Sequence, residues 1–323
     1  VIHHAVILAI GSAQNHSKLT YNRSHAMLPA LGKPLFIRIM ERLYRIGIRQ
    51  YTVIIGESDG ALASYLNSQW MPDVKINLII RFGTDSLTRI VQKIAQEQED
   101  PFVMCSYNSF THNHFPEGLI KKHDENPKAL IFSGAPTTLS HASQQVYAVV
   151  EERQVLSIVE APSAEYTTLT LNDMFICGYD MLDYLRQVEI PSNVVDRSRQ
   201  FVDIAHQFIQ AGGTGLVARS NWILQVEADR DLLTLNKLLL DEGQDAHILS
   251  ELPYTVKIIP PVRIDPQVSV GQGAKIGPHV YLERGCSVGH NVVLKNSIVI
   301  TRAAVPSEKT LVNTILTTRG PIT

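Results

Sequence analysis

Between Gly11 and Pro34 the chain carries a long polar stretch with Ser12, Gln14, Asn15, Lys18, Arg23 and His25 set among few apolar residues. Lys18 and Arg23 are the cations ahead of His25 in this stretch that could answer an anion. The run Ala5 to Ile10 ahead of it is apolar throughout and too short for a helix, so it reads as a buried parallel strand that stops at Gly11. A loop leaving the carboxyl end of the first strand of an open α/β sheet lies where such sheets bind ligands, which makes residues 12–30 the first place for chemistry. Other chemical residue types give less. Cys105, Cys177 and Cys286 are far apart and odd in number, and they read as buried small hydrophobes of a reducing compartment. His3-His4 and the pair His112 and His114 lack a third ligand nearby, so they read as surface histidines rather than a metal centre.

The elements that must position this loop follow from periodicity. Leu35, Phe36, Ile39, Met40, Leu43 and Ile46 recur at helical spacing up to Gly47, and Tyr51 to Ile55 is a second buried strand. Strand, helix and strand with short connections predict a right-handed parallel unit of a doubly wound sheet. Further strands are expected at 74–80, 101–110, 129–132, 146–150, 155–159 and 174–178, and helices at 61–70, 87–96, 181–187 and 202–211. A chain of 323 residues with 45% hydrophobic and 19% charged residues has the composition of a globular protein. A net charge of −2 without a basic run predicts no nucleic-acid partner. No apolar stretch reaches the ~20 residues of a membrane span, so no membrane span and a cytoplasmic location are expected.

The polar stretch resembles the signature of the sugar-nucleotide pyrophosphorylases, or NDP-sugar nucleotidyltransferases, whose first loop reads L-A-G-G-x-G-T-R-L-x-P-L-T-x-x-x-P-K-x-M-L-P-V-x-G-K-P. Laid on without a gap, Leu8, Ala9, Gly11, Leu19, Thr20, Met27, Leu28, Pro29, Gly32, Lys33 and Pro34 match. The resemblance implies an enzyme that joins a sugar 1-phosphate to a nucleoside triphosphate by in-line attack, gathering the phosphates with arginine, lysine and magnesium. The residues that would do so differ here. The family's phosphate-binding arginine falls on Asn15 and its Pro-Lys lysine on His25. Its threonine falls on Gln14 and its third glycine on Ala13. Its first magnesium aspartate falls on Asn108, with Tyr107 for the preceding glycine, the lysine that contacts the sugar phosphate on Ala161, and the second metal aspartate on Gln225. Gly83 and Thr84 match the loop that lines base and sugar, although a glycine turn followed by an N-cap threonine or serine explains them equally well. Asp231, Leu232, Leu233 and Asn236 match the family's last motif. Glu227 or Asp229 could reach the site in place of Gln225; the alternative is a carboxylate at a helix start.

From Pro260 the period changes. Ile264, Val270, Ile276, Leu282, Val288, Leu294 and Ile300 fall every six residues, and a second register holds Val268, Ala274, Val280, Cys286, Val292 and Ile298. This is the hexapeptide repeat of a parallel β-helix, left-handed in the proteins it resembles, expected to run about three coils and to lose register near Val305-Pro306. Coils at a chain end leave strand edges open, which predicts a homo-oligomer or a protein partner through the β-helix. The repeat also occurs in acyltransferases, where His279 or His290 would be a base; a structural role is the competing reading.

The expected architecture is thus a doubly wound Rossmann-like nucleotidyltransferase domain over 1–250 and a hexapeptide-repeat β-helix over 251–323. Five charged positions of the family are neutral or weakly basic, at Asn15, His25, Asn108, Ala161 and Gln225, which implies no catalytic residues, no metal ligands and no cofactor. The expected function is that of a pseudoenzyme, a structural or regulatory subunit. The alternatives are an active nucleotidyltransferase with relocated metal ligands, which would need magnesium, and a sensor holding a nucleotide or nucleotide sugar at Gly11, Ser12, Gln14, Asn15, Gly83 and Thr84. An empty, vestigial cleft is the plain alternative to all three.

Overall fold

The computed structural model describes residues 2–10, 17–69, 73–136, 138–139, 145–162, 165–190, 198 and 200–323. Contacts divide the chain into two compact units, Val1–Gly11 with Ile39–Gln225, and Ser12–Arg38 with Val226–Thr323.

In the first unit the opening apolar run is β1 (His4–Ala9), buried along its whole length. It is followed by β2 (Gln50–Gly56), β3 (Lys75–Arg81), β4 (Phe102–Ser106), β5 (Ser109–Thr111), β6 (Leu130–Ala135), β7 (Tyr147–Glu151), β8 (Gln154–Val159), β9 (Thr168–Cys177), β10 (Gly215–Arg219) and β11 (Ile223–Gln225). The helices are α1 (Leu35–Arg45), whose first four residues belong to the other unit, α2 (Gly60–Gln69), α3 (Leu87–Glu97), α4 (Phe115–Glu125), α5 (Tyr179–Gln187) and α6 (Phe201–Gln210). Nine strands form one sheet in the order β3-β2-β1-β4-β9-β6-β10-β8-β7. β1 runs parallel to β2 and β4, and β2 to β3, the expected parallel half. β9 then enters antiparallel to β4 and β6, so the sheet is mixed rather than all parallel. Phe102, Phe132, Phe175 and Phe201 are fully buried in its core, each removal of such a side chain from water contributing ~1.5–3 kcal/mol.

Two departures from the sequence reading bear on the site. The strand expected over 101–110 breaks into β4 and β5 at a turn formed by Tyr107 and Asn108. In β9 the register with β6 shifts between Asn172 and Phe175, and such an irregularity re-aims the side chains within it.

In the second unit, Pro29–Ala30 pairs antiparallel with Lys33–Pro34, and the turn between them has positive φ at Leu31 and Gly32. Gly32 has φ 79°, a left-handed conformation that favours glycine, and a Cβ there would also displace the end of the Arg263 side chain, 2.7 Å away. α7 (Asp229–Asp241) follows, then the coils. Three faces stack in parallel register: Val262 on Val280 on Ser297, Lys257 on Lys275 on Val293 on Thr310, and Ser269 on Ser287 on Ala304. Gly277 marks a turn at φ 113°, where a Cβ would sit 1.8 Å from the carbonyl oxygen of Ile259. The repeat shortens earlier than Val305: Leu282 pairs with Val299, not Ile300, because the turn at Asn296 is one residue tighter. One face closes with Gly320–Ile322 folded back antiparallel on Ile315–Thr317.

Candidate functional site

Each position of the resemblance can be followed from its element. Gly11, Ser12, Gln14 and Asn15 lie outside the described residues. Gly83 and Thr84 form an exposed turn between β3 and α3. The cap of α3 is Ser86, whose hydroxyl accepts from the Arg89 amide at 3.0 Å, while the Asp85 carboxylate accepts from the Phe82 amide. Ala161 is exposed in a bend after β8.

The two positions aligned with magnesium aspartates are brought together. β11 pairs antiparallel with β5, setting Gln225 opposite Ser109, one residue from Asn108. Two positions that the sequence separates by more than a hundred residues are thus neighbours across one strand pair. The donor set is different. Asn108, 7% exposed, and Gln225 offer amide oxygens without charge, a poor fit for a hard divalent cation that depends on carboxylates and substrate phosphates. Among the described residues no group of three histidine, cysteine, aspartate or glutamate side chains is placed to hold a metal. Beside Gln225 the first unit leaves a cavity of about 20 Å³, lined also by Asn172, Asp173 and Gln200. That is room for roughly one water. Such a water would meet the Asn172 side-chain oxygen, which is buried without a partner among the described residues. Tyr107, where the family has glycine, is itself buried.

Asp173 is a carboxylate that sequence reading passed over. It accepts from the Ser106 hydroxyl, from the Val202 amide at 2.8 Å and from the Phe201 amide at 3.3 Å, tying the end of β4 to the first turn of α6. Burial pushes its carboxyl up to about 6 against these hydrogen bonds, which favour the charged form. All its oxygens are spent inside the protein, so it is a brace and not a free base.

In the second unit the signature loop is fastened to the coils. Arg23 pairs with Glu283 at 3.1 Å, both side chains less than a fifth exposed, and Glu283 also accepts from the Thr301 amide. The Lys18 ammonium donates to the Pro321 carbonyl at 2.9 Å. Tyr21 shares a hydrogen bond with Thr318 and carries the Arg319 guanidinium over its ring. Arg38 donates to the Ala30 and Leu31 carbonyls and pairs with Asp245. The Gly32 amide donates to the Tyr281 hydroxyl, which donates to Asp265. Lys18 and Arg23, the cations read as able to answer an anion, are thus engaged by the coils. His25 opens a short 3₁₀ turn and is 5% exposed; burial, only partly offset by the charge of Asp231, lowers its pKa to about 4. Where the family has a lysine, this chain therefore has an imidazole that is neutral at pH 7.

The carboxylates at the start of α7 serve the helix. Asp231 is fully buried and accepts from the Glu227 and Ala228 amides, satisfying donors that the helix itself leaves open. Asp229, the first helical residue, has its carboxyl raised by burial against a hydrogen bond from Ser17. His279 is hydrogen-bonded to Asp241 at 2.5 Å, joining α7 to a turn of the coils, and the His290 ring accepts from the Gln272 amide. Both histidines hold turns, the structural alternative to an acyltransferase base. The three cysteines are buried and free, and burial raises all three thiols, Cys286 to about 12.

A family model described as nucleotidyl transferase matches residues 4–214, and one described as the GMPPB C-terminal domain matches residues 258–322. No curated protein sequence gives a match. Among solved structures, the inositol-1-phosphate CTP transferase from T. maritima superposes with a TM-score of 0.59 at 13% identity, over 75% of this chain and 98% of that one. A putative glucose-1-phosphate thymidylyltransferase from Bacillus anthracis, solved with sucrose, gives 0.59 at 15% identity, over 72% and 94%. At these identities the likeness is one of fold. No helix among the described residues is long and apolar enough to cross a membrane.

Proposed function

The chain belongs to the nucleotidyl transferase family, and from that premise we propose that it is a non-catalytic member, a structural or regulatory subunit built on the sugar-nucleotide pyrophosphorylase scaffold. The observation that supports this reading is that Gln225 lies opposite Ser109, one residue from Asn108, so that the two positions the resemblance aligns with metal aspartates are neighbours and carry neutral amides. Three further facts support it. His25 is neutral at pH 7, Lys18 and Arg23 are held by the coils, and the cavity beside Gln225 has room for one water.

In-line phosphoryl transfer has little covalent chemistry for a protein to perform, so its rate comes from positioned positive charge. Loss of a single such donor commonly costs ~10²–10³-fold, and the residues here leave several donors wanting. The chain's own role is then as a surface. Two of the three coil faces end, at Thr310–Val312 and at Ala304–Val305, in strands with no further partner among the described residues. We place a second copy or a protein partner on these edges, in a reducing, cytoplasmic setting that suits three free buried thiols.

The test is a steady-state assay of pyrophosphate release with nucleoside triphosphates, a panel of hexose 1-phosphates and magnesium. The expected rate is at background. Release at rates typical of enzymes, on the order of 1 s⁻¹ or more, would overturn the reading.

A further inference from the structure

The positive charge missing from the old cleft is found at another place in the first unit. A cavity of about 340 Å³ opens between α4, the turn joining β7 to β8, and β10. Its rim carries Lys122 from α4, Arg153 from the turn and Arg219 from the end of β10, with His112 beside them. Its floor is apolar, formed by Phe115 and Val217, both buried. No acidic side chain lines it, and among the described residues the side chains of Lys122, Arg153 and Arg219 make no ion pair or hydrogen bond.

That arrangement has a physical cost. Like charges gathered on one concave surface repel, and low-dielectric walls focus the resulting field. Burial, then the charges of Arg42 and His114, hold His112 below its usual range against the charge of Glu117. Elsewhere Arg23 pairs with Glu283, Arg38 with Asp245 and Arg263 with Asp265, whereas Arg153 and Arg219 are exposed and Lys122 is half-buried. Here three cations from three separate elements converge without an internal counter-charge. A volume of this size suits a small ligand, and the apolar floor suits the body of an organic molecule better than a bare ion.

The geometry points to a binding site for a phosphorylated small molecule, its phosphate held by Arg153, Arg219 and Lys122 and its carbon skeleton laid on Phe115 and Val217. Arginine forks bind phosphate oxygens in pairs, and lysine adds a point charge. The site uses none of the residues of the old cleft and stands whether or not the chain has turnover.

Calorimetric titration of the full chain at 0.1 M salt, without magnesium, with inorganic pyrophosphate and separately with AMP, tests it. Saturable one-site binding with a Kd of about 1 mM or tighter is expected for at least one probe. Tighter binding of AMP identifies an organic phosphate as the ligand class, and tighter binding of pyrophosphate an inorganic one. The variants R153A and R219A should each weaken binding about tenfold, the loss of one charge-assisted contact, while K75A leaves it unchanged. Because the replaced side chains have no internal partners, thermal melts of the variants should match the parent. Absence of saturable heat from both probes, or affinity unchanged in the R153A/R219A double variant, would overturn the site.

Discussion

The double variant Asn108→Asp/Gln225→Asp is expected to bind Mn²⁺ with a Kd on the order of 10⁻⁴ M, where the unmodified chain shows no saturable binding at that position. The argument rests on backbone. β5 and β11 already hold residue 225 opposite residue 109, so two carboxylates placed at 108 and 225 would stand within a residue of register of one another. Without metal, two neighbouring like charges, one of them at a buried position, raise each other's pKa and destabilise the fold, so the variant should melt below the parent. Added Mn²⁺ should reverse that loss, because binding to the native state alone stabilises it. Electron paramagnetic resonance of Mn²⁺ together with melting curves reads both effects. Equal Mn²⁺ binding by parent and variant would show that Asn108 and Gln225 are not what keeps a divalent ion away.

The second large effect is acid lability centred on His25. Its folded pKa, about 4, lies below the ordinary 6.5, because burial disfavours the imidazolium more than Asp231 favours it. The unfolded chain therefore binds the proton more tightly, and stability falls as pH drops through 6.5 towards 4. A shift of this size is worth roughly 3 kcal/mol once the window is crossed. His4, buried in β1 rather than at the surface as its sequence context suggests, is hydrogen-bonded to Thr52 and likewise lowered to about 4 by burial, and adds in the same direction. Asp173 opposes them: its raised pKa makes the folded state the tighter proton binder between 3.8 and about 6, so its protonation restores some stability in that range. Urea denaturation of parent and His25→Gln at pH 7 and pH 5 separates these contributions. The parent should lose more stability than the variant on acidification, and equal losses would place His25 outside the core.

How much of this was legible in the sequence depends on whether the deciding interaction is local. β1, β2 and α1 could be placed from periodicity because each buries one continuous face, and the coils because aliphatics recur at a fixed interval with Gly277 where only glycine fits. The shortened turn at Asn296 was hidden, since Ile298, Val299 and Ile300 are all buried and an aliphatic pattern reads the same in either register. α4 was missed because Pro116 and Gly118 fall in its first turns and blur the helical signal. The breaks at Tyr107–Asn108 and in β9 come from pairing with strands far along the chain. Motif spacing singled out Asn108 and Gln225, but that they are neighbours follows only from the pairing of β5 with β11. The fate of Lys18 and Arg23 could not, because their partners lie some 260 to 300 residues away, and nothing near either cation marks it as engaged.

The claim at the centre of this account is that a nucleotidyl transferase scaffold persists here without the charge that captures a triphosphate. Calorimetric titration of the full chain with ATP, GTP, CTP and UTP, each with and without magnesium, tests it most directly. The account predicts no heat of binding that depends on magnesium for any of the four. Saturable, magnesium-dependent triphosphate binding that is lost when Gln225 or Asn108 is changed to alanine would contradict it.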